Sequence, residues 1–171
     1  RKDVMKAYKA AVDFFAKKSS KKSNEKSAPY AAEAQFRLYD PAFKKFMTLR
    51  FVGNAKKQQK MLLKKAEVLK EVETKYKGIL KFKQFDWTLA SLYRIGQLYQ
   101  NFAESMTNAD CPPDVKRQAR SIGVTPEEVC DEYAFLLEEK AVALEDKAVE
   151  AFETTLNKAR EFQVANDWTK K

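Results

Sequence analysis

At 171 residues the chain is long enough for one domain with a sizeable core, and four Gly and five Pro beside plentiful Ala, Leu, Glu and Lys favour helix. It contains no histidine, which removes the commonest general base and the commonest metal ligand. The net charge of +9 is unevenly spread: residues 1–86 carry 23 Lys/Arg against 9 Asp/Glu, and residues 87–171 carry 10 against 15. A basic half therefore precedes a mildly acidic one, a pattern that invites partners of opposite sign or head-to-tail contacts.

Residues 2–17 place Val4, Ala7, Tyr8, Ala11, Val12 and Phe15 at helical spacing. The stretch 18–28 is Lys, Ser and Asn with almost nothing apolar, and reads as a flexible loop ended by Pro29 at a helix start. That second helix meets Asp40-Pro41, where a break or kink is expected before AFKKFMTLRF resumes. Gly53-Asn54 closes it, and Asn54 can cap a long helix from Ala55 to about Phe82 whose apolar stripe holds Met61, Leu62, Val68, Leu69, Val72, Tyr76, Ile79 and Leu80.

A short connection at 84–86 leads to WTLASLYRIGQLYQNFAESM, the most apolar helix of the chain. Gly96 lies in its interior, where glycine costs about 1 kcal/mol against alanine, so another backbone is expected to pack closely there. Residues 108–125 form a cysteine-containing loop with room for two short turns after Pro112-Pro113. Thr125-Pro126-Glu127-Glu128 is a helix entry with a cap, a proline at the first position and a glutamate three residues after the cap. The helix it opens runs from Glu127 to about Phe162, and Asn166-Asp167-Trp168 reads as the start of a further one. No strand pattern appears. The expected fold is a single all-α domain over 1–171, built from antiparallel helix pairs. No run approaches the eighteen apolar residues of a membrane span, and a start at Arg1 without a signal-peptide core suggests a piece of a longer chain.

Four groups of residues carry chemistry worth weighing. Cys111 and Cys130 are the only cysteines, and a disulfide between them would close a loop of about 20 residues, worth about 3 kcal/mol in the chain-entropy model. Cys130 also suits a core position beside Ala134 and Leu137, so a pair of inert thiols stays open, and a redox role with it; two cysteines without histidine speak against zinc. Lys44, Lys45, Arg50, Lys56, Lys57, Lys60, Lys64 and Lys65 form a basic block around the Gly53 turn. It could meet nucleic-acid phosphates, an anionic membrane surface or an acidic protein, or simply solvate two helices; it is mostly lysine and carries no base-stacking motif. Glu138, Glu139, Glu145, Asp146, Glu150 and Glu153 alternate with Lys140, Lys147 and Lys158 at pairing distance, the pattern of a solvated helix surface rather than of an acid–base pair. No catalytic motif and no cofactor motif is visible, which points away from an enzyme.

AEAQFRL at 32–38 and LYRIGQLY at 92–99 resemble the first helix of a tetratricopeptide repeat, with Leu92, Ile95, Gly96 and Tyr99 in matching positions, and KAVEAFETTLNKAR at 147–160 resembles the second. The runs from Trp87 to Tyr99, Cys111 to Lys116, Cys130 to Ala141 and Lys147 to Arg160 are similar to a narrower group: TPR-like helical proteins of deltaproteobacterial cell envelopes, some associated with gliding motility. The separation of 53 residues between Ile95 and Ala148 exceeds an ordinary repeat, so the units are distended. The resemblance implies an α-solenoid-like segment that acts as a non-catalytic protein–protein scaffold in the periplasm or envelope, with the cytoplasm as the alternative location. It further implies that Tyr93, Gln97, Gln100 and Asn101 face a concave groove that takes peptides or other envelope proteins. The alternative function is a basic helical module that binds nucleic acid or an anionic lipid surface.

Overall fold

The computed structural model describes residues 2–17 and 21–170, without the side chains of 21–24 and 120. The fold is all-α. Its elements are α1 (Lys2–Lys17), α2 (Lys21–Met47), α3 (Ala55–Lys77) continued by a 3-10 turn (Gly78–Phe82), α4 (Phe85–Thr107), α5 (Pro113–Ser121) and α6 (Pro126–Glu161). Two of the expected starts are built as their chemistry requires. The Asn54 side chain accepts from the Lys57 N–H at 2.9 Å, after Gly53 has turned the chain at φ +99°. At α6 the Thr125 hydroxyl accepts from the Glu128 N–H at 3.2 Å while the Glu128 carboxylate accepts from the Thr125 N–H at 2.9 Å.

The loop expected over 18–28 is instead helical from Lys21 onward; residues 18–20 lie outside the described residues. Pro29 is interior to α2 rather than at its start, and the break expected at Pro41 is absent, because α2 continues through both prolines to Met47. Each proline forfeits one backbone hydrogen bond. Both rings face solvent, whereas Ala28, Ala31, Ala32, Phe36, Phe43 and Phe46 along the opposite face are buried. A large buried side chain contributes roughly 1.5–3 kcal/mol, so this row outweighs the lost bonds and holds the helix continuous.

The core forms where α2, α3 and α4 meet. Tyr76 of α3 is fully buried against Phe36 of α2 at 5.4 Å between ring centroids, and Phe46 meets Phe102 of α4 at 6.4 Å. Helix α4 is the most buried element, as its apolar sequence implies. It runs antiparallel to α3, since Tyr99 reaches Glu73 while Asn101 and Ser105 reach Lys65. It runs antiparallel to α6 as well: Phe85 stacks on Phe162 at 4.1 Å, and Tyr99 lies under the Lys147 ammonium at 5.4 Å. Helix α1 buries no residue completely and rests on α2, with Phe15 against Phe82 at 5.0 Å.

Gly96 does sit at a close approach, but its neighbour is a ring rather than a backbone. A Cβ at this position would lie 2.5 Å from Cε1 of Phe152 on α6. The segment 166–170 is a turn with a capped entry: the Asn166 N–H donates to the Thr169 hydroxyl at 3.1 Å. The Asn166 side chain accepts from the Trp168 N–H at 3.0 Å, the bond an N-cap residue makes.

Candidate functional site

Along α4, Tyr93 and Gln100 lie two turns apart on the side that meets α6. With Phe152, Thr155 and Leu156 of α6 and with Trp168 and Thr169 they line a cleft of about 470 Å³. Tyr93 packs on Phe152 at 5.5 Å and on Trp168 at 6.0 Å, so three aromatic rings share one wall. The end turn is held in place by Asn166, whose amide donates to the Asp86 carboxylate at 2.6 Å at the start of α4. Trp168 then reaches Phe36 at 5.6 Å and lies under the Arg94 guanidinium at 5.6 Å, which ties the turn to α2. No charged residue lines the cleft, and its polar groups are amide and hydroxyl. It suits an apolar or aromatic side chain carried on a neutral peptide backbone.

Of the four residues expected to face a groove, the structure therefore brings two to this cleft. Gln97 is half-buried and accepts from Arg94 at 3.0 Å. Asn101 is buried, and its side-chain oxygen is committed to Lys65; the groove assignment of Asn101 is corrected accordingly. Trp168 and Thr169 were missed because their role depends on a chain reversal after α6. The signal available for it was Asn166, a residue that favours turns over helix.

The basic block is also revised. Lys44, Lys45, Arg50, Lys56, Lys57, Lys60 and Lys64 are exposed, but Lys65 is completely buried. Its ammonium donates to the Leu49 carbonyl at 2.9 Å, the Asn101 side-chain oxygen at 2.8 Å and the Ser105 hydroxyl at 2.6 Å, so each N–H has an acceptor. The charge also faces the Phe46 ring at 4.7 Å. Burial lowers its pKa to about 8; Arg50 pushes the same way and Glu104 opposes. Lys65 thus clamps the loop after α2 to α4 and carries no surface charge. In the sequence Lys65 reads as part of the surface block; the signal passed over is that Met61, Leu62, Leu69 and Val72 share its stripe. Arg50 is likewise engaged at home, donating to the Met47 carbonyl at 2.8 Å.

Cys111 and Cys130 meet as a disulfide, with Cα atoms 5.4 Å apart. A polar node pins the same region. Gln58, buried at the start of α3, donates to the carbonyls of Gly53 and Asp110 at 3.1 and 2.9 Å and accepts from the Tyr133 hydroxyl at 2.7 Å. The Asp114 carboxylate accepts from the Ala55 N–H at 2.9 Å, an acid at a helix N-terminus supplied by another helix.

The lysines of α6 do not pair with its acids. Lys147 turns to the Tyr99 ring and Lys140 toward α3, and among the described residues no ion pair involves an α6 carboxylate. Among the described residues no group of three His, Cys, Asp or Glu side chains could hold a metal ion, and no helix is long and apolar enough to cross a membrane. Comparison of the chain with protein-family models, with curated proteins and with solved structures finds no match.

Proposed function

We propose that the protein is a non-catalytic interaction scaffold of the TPR-like kind, working in a bacterial cell-envelope assembly; gliding motility is the process its sequence resemblance points to. The observation that carries this reading is the uncharged aromatic cleft between α4 and α6, lined by Tyr93, Phe152, Leu156 and Trp168. A cleft of this volume takes one or two side chains of a partner peptide, and Gln100 and Thr169 at its edge offer amide and hydroxyl groups to the peptide backbone. The Cys111–Cys130 disulfide supports an oxidising compartment such as the periplasm. The test is photo-crosslinking in the native host, with a photoreactive residue replacing Leu156. The expected product is a discrete envelope protein, lost when Tyr93→Ala is added. Labelling spread over unrelated proteins, or unchanged by Tyr93→Ala, would refute the cleft.

A second reading is favoured by the seven exposed basic residues from Lys44 to Lys64: a module for anionic lipid or nucleic acid. Five of them, Lys44, Lys45, Lys56, Lys57 and Lys60, would have to contribute to binding that falls steeply with salt. Vesicles with an anionic lipid fraction, and duplex DNA, compared at two salt concentrations, separate this reading from the first. Binding that survives reversal of those lysines removes it.

A further inference from the structure

The outer side of α6 carries a row of apolar side chains that the described residues leave more than half exposed. Phe135, Val142 and Val149 stand seven residues apart and are 59%, 53% and 54% exposed. Seven residues fall about 20° short of two full helical turns, so the row stays on one face for about 14 residues, or about 21 Å. The core-facing row of the same helix, Leu137, Ala141, Ala148, Thr155 and Ala159, lies on the opposite side. Helix α6 is therefore apolar on two faces, and only one of them is used.

Acids flank the outer row. Glu139, Asp146 and Glu153 follow it on one side at the same spacing, and Glu138 and Glu145 follow it on the other; all five are exposed. Helix α6 holds eleven carboxylates against four basic groups, and Lys140 and Lys147 are directed to the inner flank. Such a row, with its own helix unable to neutralise it, is complementary to an apolar residue set among lysines. The same chain carries that surface. On the outer side of α3, Leu63 is 59% exposed among Lys56, Lys60, Lys64 and Lys70, four lysines against the single acid Glu67, and none of these four lysines forms an ion pair among the described residues.

We infer that α6 of one molecule docks on α3 of a second copy, the acidic apolar row against the basic one. The two surfaces differ, so the contact is head-to-tail and can extend into a chain of molecules. Three side chains with a charged rim bury less than the roughly 800 Å² per partner of a standard interface, so the contact is weak and sensitive to salt. This interface lies apart from the α4–α6 cleft and does not depend on what the cleft binds.

The experiment is sedimentation velocity of the intact chain over a concentration series at low and at high salt. The average mass should climb with concentration at low salt and return to that of the monomer at high salt. Two triple variants, Glu139→Lys/Asp146→Lys/Glu153→Lys and Lys56→Glu/Lys60→Glu/Lys64→Glu, should each stay monomeric. Mixed together they should associate again, because each retains one unaltered surface. All six positions are exposed, and helical circular dichroism checks that the variants fold. A wild-type chain that stays monomeric at low salt overturns the inference, whatever other protein α6 binds. Self-association that persists in either variant, or a mixture that stays monomeric, overturns it equally.

Discussion

Substitution of Gly96 by alanine isolates the contact on which the α4–α6 packing depends. Alanine should help the helix by about 1 kcal/mol, because glycine is the poorer helix former. The added methyl would lie 2.5, 2.7 and 2.9 Å from three atoms of the Phe152 ring, whereas carbon atoms in ordinary contact stand 3.5–4.0 Å apart. The ring must move by about 1 Å, and Tyr93, packed against it at 5.5 Å, restricts that movement. Overpacking of this kind costs about 1–3 kcal/mol, so the net effect of Gly96→Ala is a loss of up to about 2 kcal/mol. With Phe152→Ala in place the clash is gone, and Gly96→Ala should become stabilising by about 1 kcal/mol. The four proteins of this cycle, unfolded in urea and compared at constant m, should show a coupling of about 1–3 kcal/mol. An effect of Gly96→Ala that is the same in both backgrounds would refute the assignment of the glycine to the ring.

Stability should depend on pH through Lys65 and two tyrosines. The unfolded chain keeps the Lys65 proton up to its ordinary value of 10.5, while the folded chain loses it near 8. Between those values the unfolded state binds more protons, so stability should rise from pH 8 to 10 by about 2–3 kcal/mol, and Lys65→Met should flatten the rise. Above pH 10 the trend reverses: burial raises Tyr99 to about 12 and Tyr76 higher still, so the unfolded chain ionises first. Urea midpoints at half-unit pH steps test both limbs, and a flat profile from 8 to 10 would sink the Lys65 account. Reduction of the disulfide frees a loop with a sequence separation of 19 and should lower stability by about 3 kcal/mol, measured as a drop in the urea midpoint with reductant; an unchanged midpoint would count against it. Gln58→Ala leaves the Asp110 and Gly53 carbonyls and the Tyr133 hydroxyl without their partner, at a cost of about 1–3 kcal/mol. Amide exchange should then quicken first around residues 108–114, and protection unaltered there would contradict the pinning role.

The sequence by itself determined the helices wherever local chemistry dominates. The Thr125–Glu128 capping box, the Gly53-Asn54 turn and the apolar stripe through Leu69, Val72 and Tyr76 were all readable, because each depends on residues within a few positions of one another. The same stripe held Lys65, and its burial was legible there, although the eye sorts lysine with the surface. Tertiary structure alone decided what long-range partners impose. Pro41 could be read as a break only until Phe36, Phe43 and Phe46 found Tyr76 and Phe102, whose burial holds α2 continuous. Tyr93 and Gln100 became walls of a cleft only when Trp168 folded back to meet them. The acids of α6 lost their lysines because Lys147 gains more from the Tyr99 ring on a neighbouring helix than from a solvated carboxylate on its own. Local spacing sets which groups could meet; burial, which takes the whole chain to create, decides which of them do.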